Sequence, residues 1–179
     1  MQELLRLLLS LKKPGEILEI GAATGFSAIF MAEYSQYENS KANITTIEKY
    51  APRLAPLKEN IRASGFSERI RVIEGEALKA MGELIKEGAS YDLIFMDAAK
   101  AQYIHFLPSV LTLLRPDGVL VSDNVLQDGE LIESRFAVER RNRTIHARMR
   151  DYLFELTHHP SLVTNIFPIA DGVTVSVRR

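Results

Sequence analysis

No cysteine occurs among the 179 residues. Its absence rules out disulfides, zinc-thiolate sites and a cysteine nucleophile, and agrees with a reducing, cytoplasmic setting. Net charge is nearly absent as well, −1 at pH 7. There is thus no global pull toward nucleic acid or membrane, and any such partner must be met by a local patch. No apolar run approaches the roughly 20 residues of a membrane span. The leucine-rich stretch 4–11 has neither a small-residue cleavage site nor a proper basic leader, which argues against a signal peptide. The glycine–lysine phosphate-loop consensus is missing too, so nucleoside triphosphates are disfavoured. What is present is 46% apolar and 25% charged. That is an ordinary globular composition, and the length suits one domain over 1–179 with a sizeable core.

Residues 1–13 pattern as a helix, with Leu4, Leu5, Leu7, Leu8, Leu9 and Leu11 giving a broad apolar face. Pro14-Gly15 stops it. Strands at 17–20, 44–48, 70–74, 91–97 and 119–123 alternate with helical runs at 26–34, 52–63, 77–86 and 103–114. Gly65 and Gly88 close two of those helices, and Arg115-Pro116-Asp117-Gly118 makes a turn before the fifth strand. A long helix is predicted over 134–157, with Ile145, Met149, Leu153 and Leu156 along one stripe. Two last strands, 162–168 and 173–178, are joined by Ala170-Asp171-Gly172, a hairpin signal. The alternation predicts an α/β fold whose mostly parallel sheet is covered by helices on both faces, with an antiparallel strand added by the terminal hairpin.

Chemistry-bearing residues collect at strand ends. The run 19–25 places Gly21 and Gly25 after the first strand, where a doubly wound sheet puts its ligand loop. Glycines let the backbone approach a ligand, the helix N-terminus favours a negative group, and Ser27 adds a hydroxyl. Two glycines equally suit a tight turn. Glu48 ends the second strand, the place of an acid that accepts both ribose hydroxyls or of a solvated strand end. Gly75-Glu76-Ala77 offers a wall for an adenine ring, or a plain turn. Together these features fit an adenosine carrying a short amino-acid-like tail.

The fourth and fifth strands end in Asp97 and in Asp123-Asn124. As neighbours about 4.8 Å apart, they would present two anionic oxygens and one neutral oxygen donor to one cation. That set suits Mg²⁺, or Ca²⁺ or Mn²⁺, better than zinc, and leaves about three octahedral positions for water or substrate. The alternative is two strand-end acids that cap turns. An ammonium beside a metal ion gives up its proton more readily, which makes Lys100 a candidate general base. Its plainer reading is a salt bridge to Asp97.

In this order and spacing, EIGAATGFS, the Glu48 strand end, GEA, FMDAAK and SDN resemble the metal-dependent O-methyltransferases of the catechol and caffeoyl-CoA type. The resemblance covers nearly the whole chain. It implies a Rossmann-like class I methyltransferase fold, seven strands with a reversed C-terminal one, and S-adenosylmethionine as methyl donor. Carried over residue by residue, it assigns the methionine part to Ser27 and the backbone near Gly21, the ribose to Glu48, and the border of the adenine to Gly75, Glu76 and Ala77. It further assigns Mg²⁺ (with Mn²⁺ possible) to Asp97, Asp123 and Asn124, and the catalytic role to Lys100. Asp97 also lies near the methionine amino group in that family, and a homodimer is implied. Members of the family carry further helices ahead of the stretch equivalent to residues 4–11. This chain starts at Met1, almost at the first strand, which bears on cofactor affinity, substrate closure and dimerisation.

The second half has a narrower resemblance, to bacterial tRNA 5-hydroxyuridine methyltransferases, which make 5-methoxyuridine at the wobble position. It rests on Asp128-Gly129-Glu130 and on residues 133–150. There Arg135, Arg140, Arg141, Arg143, Arg148 and Arg150 fall within sixteen residues holding one acid, Glu139. Arginine suits bidentate phosphate contact, and such a patch supplies affinity for the tRNA anticodon loop. A solvated helix face or a subunit interface would use the same residues. Catechol presents vicinal oxygens, and 5-hydroxyuridine presents its hydroxyl beside the O4 carbonyl, so either could chelate the metal. Small-molecule catechol methylation, or cofactor binding without activity, are the competing expectations.

Overall fold

The structure is a computed structural model that describes residues 1–38, 41–126, 131 and 139–179. Strands β1 (Glu16–Ile20), β2 (Asn43–Glu48), β3 (Ile70–Glu74), β4 (Tyr91–Met96), β5 (Leu114–Ser122), β6 (Leu162–Phe167) and β7 (Val173–Arg178) form one sheet in the order β3-β2-β1-β4-β5-β7-β6. The first five pair in parallel, whereas β7 runs antiparallel to both β5 and β6. The expected reversed strand is therefore present, made by the hairpin across Gly172, whose φ of 83° is the left-handed conformation its turn requires.

Helices α1 (Gln2–Lys12), α2 (Phe26–Tyr37) and α3 (Ala51–Ser64) cover one face of the sheet. Helices α4 (Ala77–Lys86), α5 (Tyr103–Leu113) and α6 (Arg143–His158) cover the other. Alternation along the central strands feeds both layers. Leu18 and Ile20 of β1, with Ile94 and Met96 of β4, pack toward α4, α5 and α6. Ile17, Leu93 and Phe95 pack toward α1, α2 and α3. A sheet buried on both sides must spend apolar residues on both sides, which is why these strands read as nearly continuous hydrophobic runs. Helix α1 buries Leu5 and Leu9, one turn apart, and ends where Lys13 turns left-handed and its N–H reaches Leu9 O at 2.8 Å.

Two expectations about elements change. The turn at residues 115–118 interrupts β5 and does not precede it. Leu114 already pairs with Tyr91, and regular pairing resumes at Val119 opposite Leu93. Arg115 is thrown outward there, where its guanidinium holds Asp92 at 2.7 Å. The long C-terminal helix starts at Arg143 and not at residue 134. Glu139 to Asn142 form a turn closed by Asn142 N to Glu139 O, 2.8 Å. The stretch 134–138 of that expected helix, with Arg135, lies outside the described residues, as does the run 128–130. Within α6 the buried side chains are His146, Met149, Tyr152 and Leu156, so the expected stripe is rotated slightly toward Tyr152.

Candidate active site

Ile20 lies opposite both Ile47 and Met96, and Met96 lies opposite Ser122. The residues that follow them, Gly21, Glu48, Asp97 and Asp123, therefore leave the sheet at one level. Ladder bonding continues one step past the strands: Gly21 N to Ile47 O, Asp97 N to Ile20 O and Asp123 N to Met96 O are each 3.0 Å. Strand β1 stands between β2 and β4, where the winding reverses and an open α/β sheet leaves its ligand crevice. A cleft of about 980 Å³ opens there, lined by Gly21, Glu48, Gly75, Glu76, Ala77, Asp97, Lys100 and Asn124 among others.

Gly21 is held at φ 102°, and a Cβ at that position would fall on the Asp97 carbonyl. A glycine is thus required for β1 and β4 to close on each other, a stricter need than ligand access alone. Glu48 is only 5% exposed. Its Oε2 accepts Ala23 N–H at 2.8 Å, while Oε1 accepts the N–H groups of Lys49 at 2.9 Å and Tyr50 at 2.8 Å. The carboxylate ties the glycine loop to the start of α3. With about four acceptor positions on a carboxylate, three are filled and Oε2 keeps room for one ligand hydroxyl.

Behind this loop sits an acid that the sequence reading left unassigned. Glu19 is fully buried, on the α2 side of β1. Ser27 Oγ donates to its Oε1 and Thr46 Oγ1 donates to its Oε2. Burial pushes its carboxyl up to about 7 against the lowering effect of those two hydroxyls, with the Asp97 and Glu48 charges adding to the rise. Ser27, expected to meet the ligand, thus directs its hydroxyl into the fold. Of the residues expected to border an adenine, Glu76 is largely solvent-exposed and paired with Lys49 at 3.5 Å. The flat apolar surface comes from Ala77, Leu78, Ala98, Ala99 and Phe106.

Lys100 forms the salt bridge to Asp97 that was its plainer reading. Its Nζ donates to Asp97 Oδ1 at 2.9 Å, to the Tyr103 hydroxyl at 2.9 Å and to the Asp123 carbonyl at 3.1 Å. Burial raises the Asp123 carboxyl, and the Asp97 charge raises it further, against the lowering Asn124 N–H and Lys100. These two acids therefore share one electrostatic site. One end of the Asn124 side-chain amide lies 2.9 and 3.1 Å from the two Asp123 carboxylate oxygens. The amide nitrogen belongs there, donating to both oxygens. Asp171 Oδ2 lies 3.4 Å from the amide's other end. No cluster of three or more His, Cys, Asp or Glu arranged for a metal occurs among the described residues. A cation here would rest on two carboxylates and an amide, all hard oxygen donors.

The arginines divide. Arg140 and Arg141 are exposed in the turn before α6, with Arg141 at 2.7 Å from Glu139 in an open pair. Arg148 Nη1 donates to Ala101 O at 3.2 Å, bracing the turn that carries Lys100, and Arg150 Nη1 reaches Leu131 O at 3.5 Å. Arg143 is partly buried at the first turn of α6. The five arginines among the described residues do not form one uniform face.

A sheet of this order with a reversed β7, and a glycine loop at its switch point, defines the Rossmann-like methyltransferase fold. An O-methyltransferase from Bacillus cereus in complex with SAH superposes on 99% of the chain and 80% of its own, with a TM-score of 0.88 and 24% identity. The SAH-bound methyltransferase of Podospora anserina does so on 99% and 77%, with a TM-score of 0.84 and 27% identity. The O-methyltransferase family model matches residues 1–179, and the chain belongs to that family. It is 32% identical over 130 residues to a catechol O-methyltransferase of Niastella koreensis, covering 72% of this chain and 58% of that protein. To the caffeoyl-CoA O-methyltransferase of Medicago sativa it is 30% identical over 184 aligned positions, 98% and 72% of the two chains. The match thus spans under two thirds of the catechol enzyme.

Proposed function

We propose that this chain binds S-adenosylmethionine in the cleft at the β1/β4 switch point and methylates a hydroxyl that has a second oxygen beside it, with Mg²⁺ held by Asp97, Asp123 and Asn124. One observation carries the reading: Gly21, Glu48, Asp97 and Asp123 stand at a single level of the sheet's carboxyl edge, the first three lining one cleft together with Asn124. The oxygen-only donor set of these three side chains supports a hard cation. The cation would supply a lowered hydroxyl pKa and a chelate that fixes the acceptor.

The protein's own groups do the rest. Glu48 offers one acceptor position to a ribose hydroxyl while it anchors the loop. Ala77, Leu78 and Phe106 give a flat base an apolar bed. Asp97 places its charge between the two halves of the cleft. Lys100, aimed at the same place, first releases one of its own protons to solvent and then, as the free amine, takes the acceptor's hydroxyl proton as the new O–CH₃ bond forms and the S–CH₃ bond breaks, leaving S-adenosylhomocysteine.

The acceptor proposed is wobble 5-hydroxyuridine in tRNA, supported by the exposed Arg140 and Arg141 in the turn before α6. Single-stranded RNA is read by splayed bases, and a base splayed from its loop can offer its hydroxyl and O4 carbonyl together. A small catechol is the second reading, favoured by the bonds that commit Arg148 and Arg150 to this chain's own backbone. Labelled S-adenosylmethionine incubated with 5-hydroxyuridine-containing tRNA, or with catechol, separates the two. Label is expected in tRNA with Mg²⁺ and not in excess EDTA. Full turnover in EDTA refutes the cation's role, and label in catechol alone refutes the RNA acceptor.

A further inference from the structure

The Tyr103 hydroxyl lies buried beside Lys100, which lines the cleft. It accepts Ala98 N–H at 3.2 Å and Lys100 Nζ at 2.9 Å, and its one proton can go to Met96 O at 3.0 Å or Asp123 O at 3.2 Å. One oxygen thus joins the end of β4, the loop after it, the lysine and the end of β5. The ring is fully buried, and it packs edge-on against Tyr152 of α6 at 5.4 Å between centroids. Tyr152 is fixed in turn by a 2.6 Å bond between its hydroxyl and Ser122 Oγ, one residue before Asp123. The phenol therefore cannot turn away, whereas Lys100 can: four torsions separate its backbone from Nζ. Asp97, the other side chain that holds Nζ, is half exposed and is the group a cation would engage. The carbonyl of Asp123 alone cannot fix a flexible amine.

From this geometry we infer that Tyr103 is the positioning residue for Lys100, the buried hydroxyl that keeps Nζ aimed between Asp97 and Asp123. The role rests on the proposed methyl transfer for its purpose, though not for its detection. Tyr103→Phe removes the oxygen and keeps the ring against Tyr152. Two readouts follow. The first is acylation of Lys100 by a small amine reagent, followed by mass spectrometry and normalised to Lys49 and Lys58. It needs no turnover. A several-fold rise at Lys100 alone, measured well below the variant's melting transition, is expected. No rise, or an equal rise at all three lysines, overturns the inference.

The second readout is a comparison of acceptors. With a catechol-type hydroxyl, misaiming the amine should lower kcat on the order of tenfold to a hundredfold, with KM for S-adenosylmethionine within about twofold. With a nitrocatechol, whose hydroxyl is already ionised near neutrality, the loss should largely vanish. A purely structural role lowers both acceptors equally. In Lys100→Met, adding Tyr103→Phe should cost little more, because both changes remove one function; independent, multiplicative losses overturn the assignment. Wild-type protein that transfers methyl to no acceptor would count against the proposed function, and the labelling readout would still decide Tyr103.

Discussion

At the residue scale, the acids at this edge differ in what they hold. Glu48 is a structural tie first and a ligand contact second, because three backbone N–H groups already occupy it. Glu48→Gln puts an NH₂ against at least one of those donors and removes the charge. A bond to a charged group contributes about 1.5–3 kcal/mol. Affinity for S-adenosylhomocysteine, measured by calorimetry, should therefore fall about tenfold or more; an unchanged Kd would remove Glu48 from the cofactor site. Glu19 behaves differently. Its carboxyl is raised from 4.5 to about 7, so the folded state holds its proton more tightly than the unfolded one. At low pH both states are protonated and burial carries no ionisation cost. As pH rises between these two values the unfolded state loses its proton first and stability falls; above about 7 the loss is complete, worth about 3 kcal/mol as an upper figure. Glu19→Gln should accordingly be more stable than wild type at pH 8 in urea melts of the ligand-free protein, with the gap narrowing toward pH 5. A gap that does not vary with pH would mean that Glu19 is not titrating in this range.

At the element scale, α6 serves two purposes. Its buried side carries Tyr152 and Met149 into the core beneath the cleft, and Arg148 braces the Lys100 turn. The turn that precedes it holds Arg140 and Arg141 in solvent. An open pair such as Arg141 with Glu139 contributes little to stability, so reversing these charges should leave the fold intact. For Arg140→Glu/Arg141→Glu we expect methylation of 5-hydroxyuridine tRNA to be lost, S-adenosylhomocysteine binding to be unchanged, and the salt dependence of tRNA binding to flatten with each phosphate contact removed. Retained tRNA methylation would exclude the turn from RNA recognition. Helix α1 shows the limit of patterning on a different surface. Its six predicted apolar leucines divide, with Leu5 and Leu9 buried and Leu7 and Leu11 exposed, because one sheet face covers only one side of a helix.

At the scale of the whole molecule, the parallel sheet, its reversed strand and the level of the strand ends were legible in the residues. Strands buried on both faces are mostly apolar, and the acids that close them mark the carboxyl edge: Glu48, Asp97, Asp123. Local signals of that kind survive in a single sequence because the physics behind them is local. The start of α6 was not legible, since arginine-rich sequence has helical propensity and the turn at residues 139–142 holds neither glycine nor proline to mark it. Glu19 and Tyr103 also escaped. Each reads as part of a regular element, a strand acid and the first residue of a helix, and the Lys100-x-x-Tyr103 spacing was the only hint of the second. What the sequence determined by itself was which residues end the strands and what chemistry they carry. What only the tertiary structure decided was their partners: a carboxylate enclosed between β1 and α2, a phenol drawn under a lysine by α6, and a glycine at residue 21 demanded by a carbonyl 76 positions later. Long-range packing brings such pairs together, and no periodicity within either segment records it.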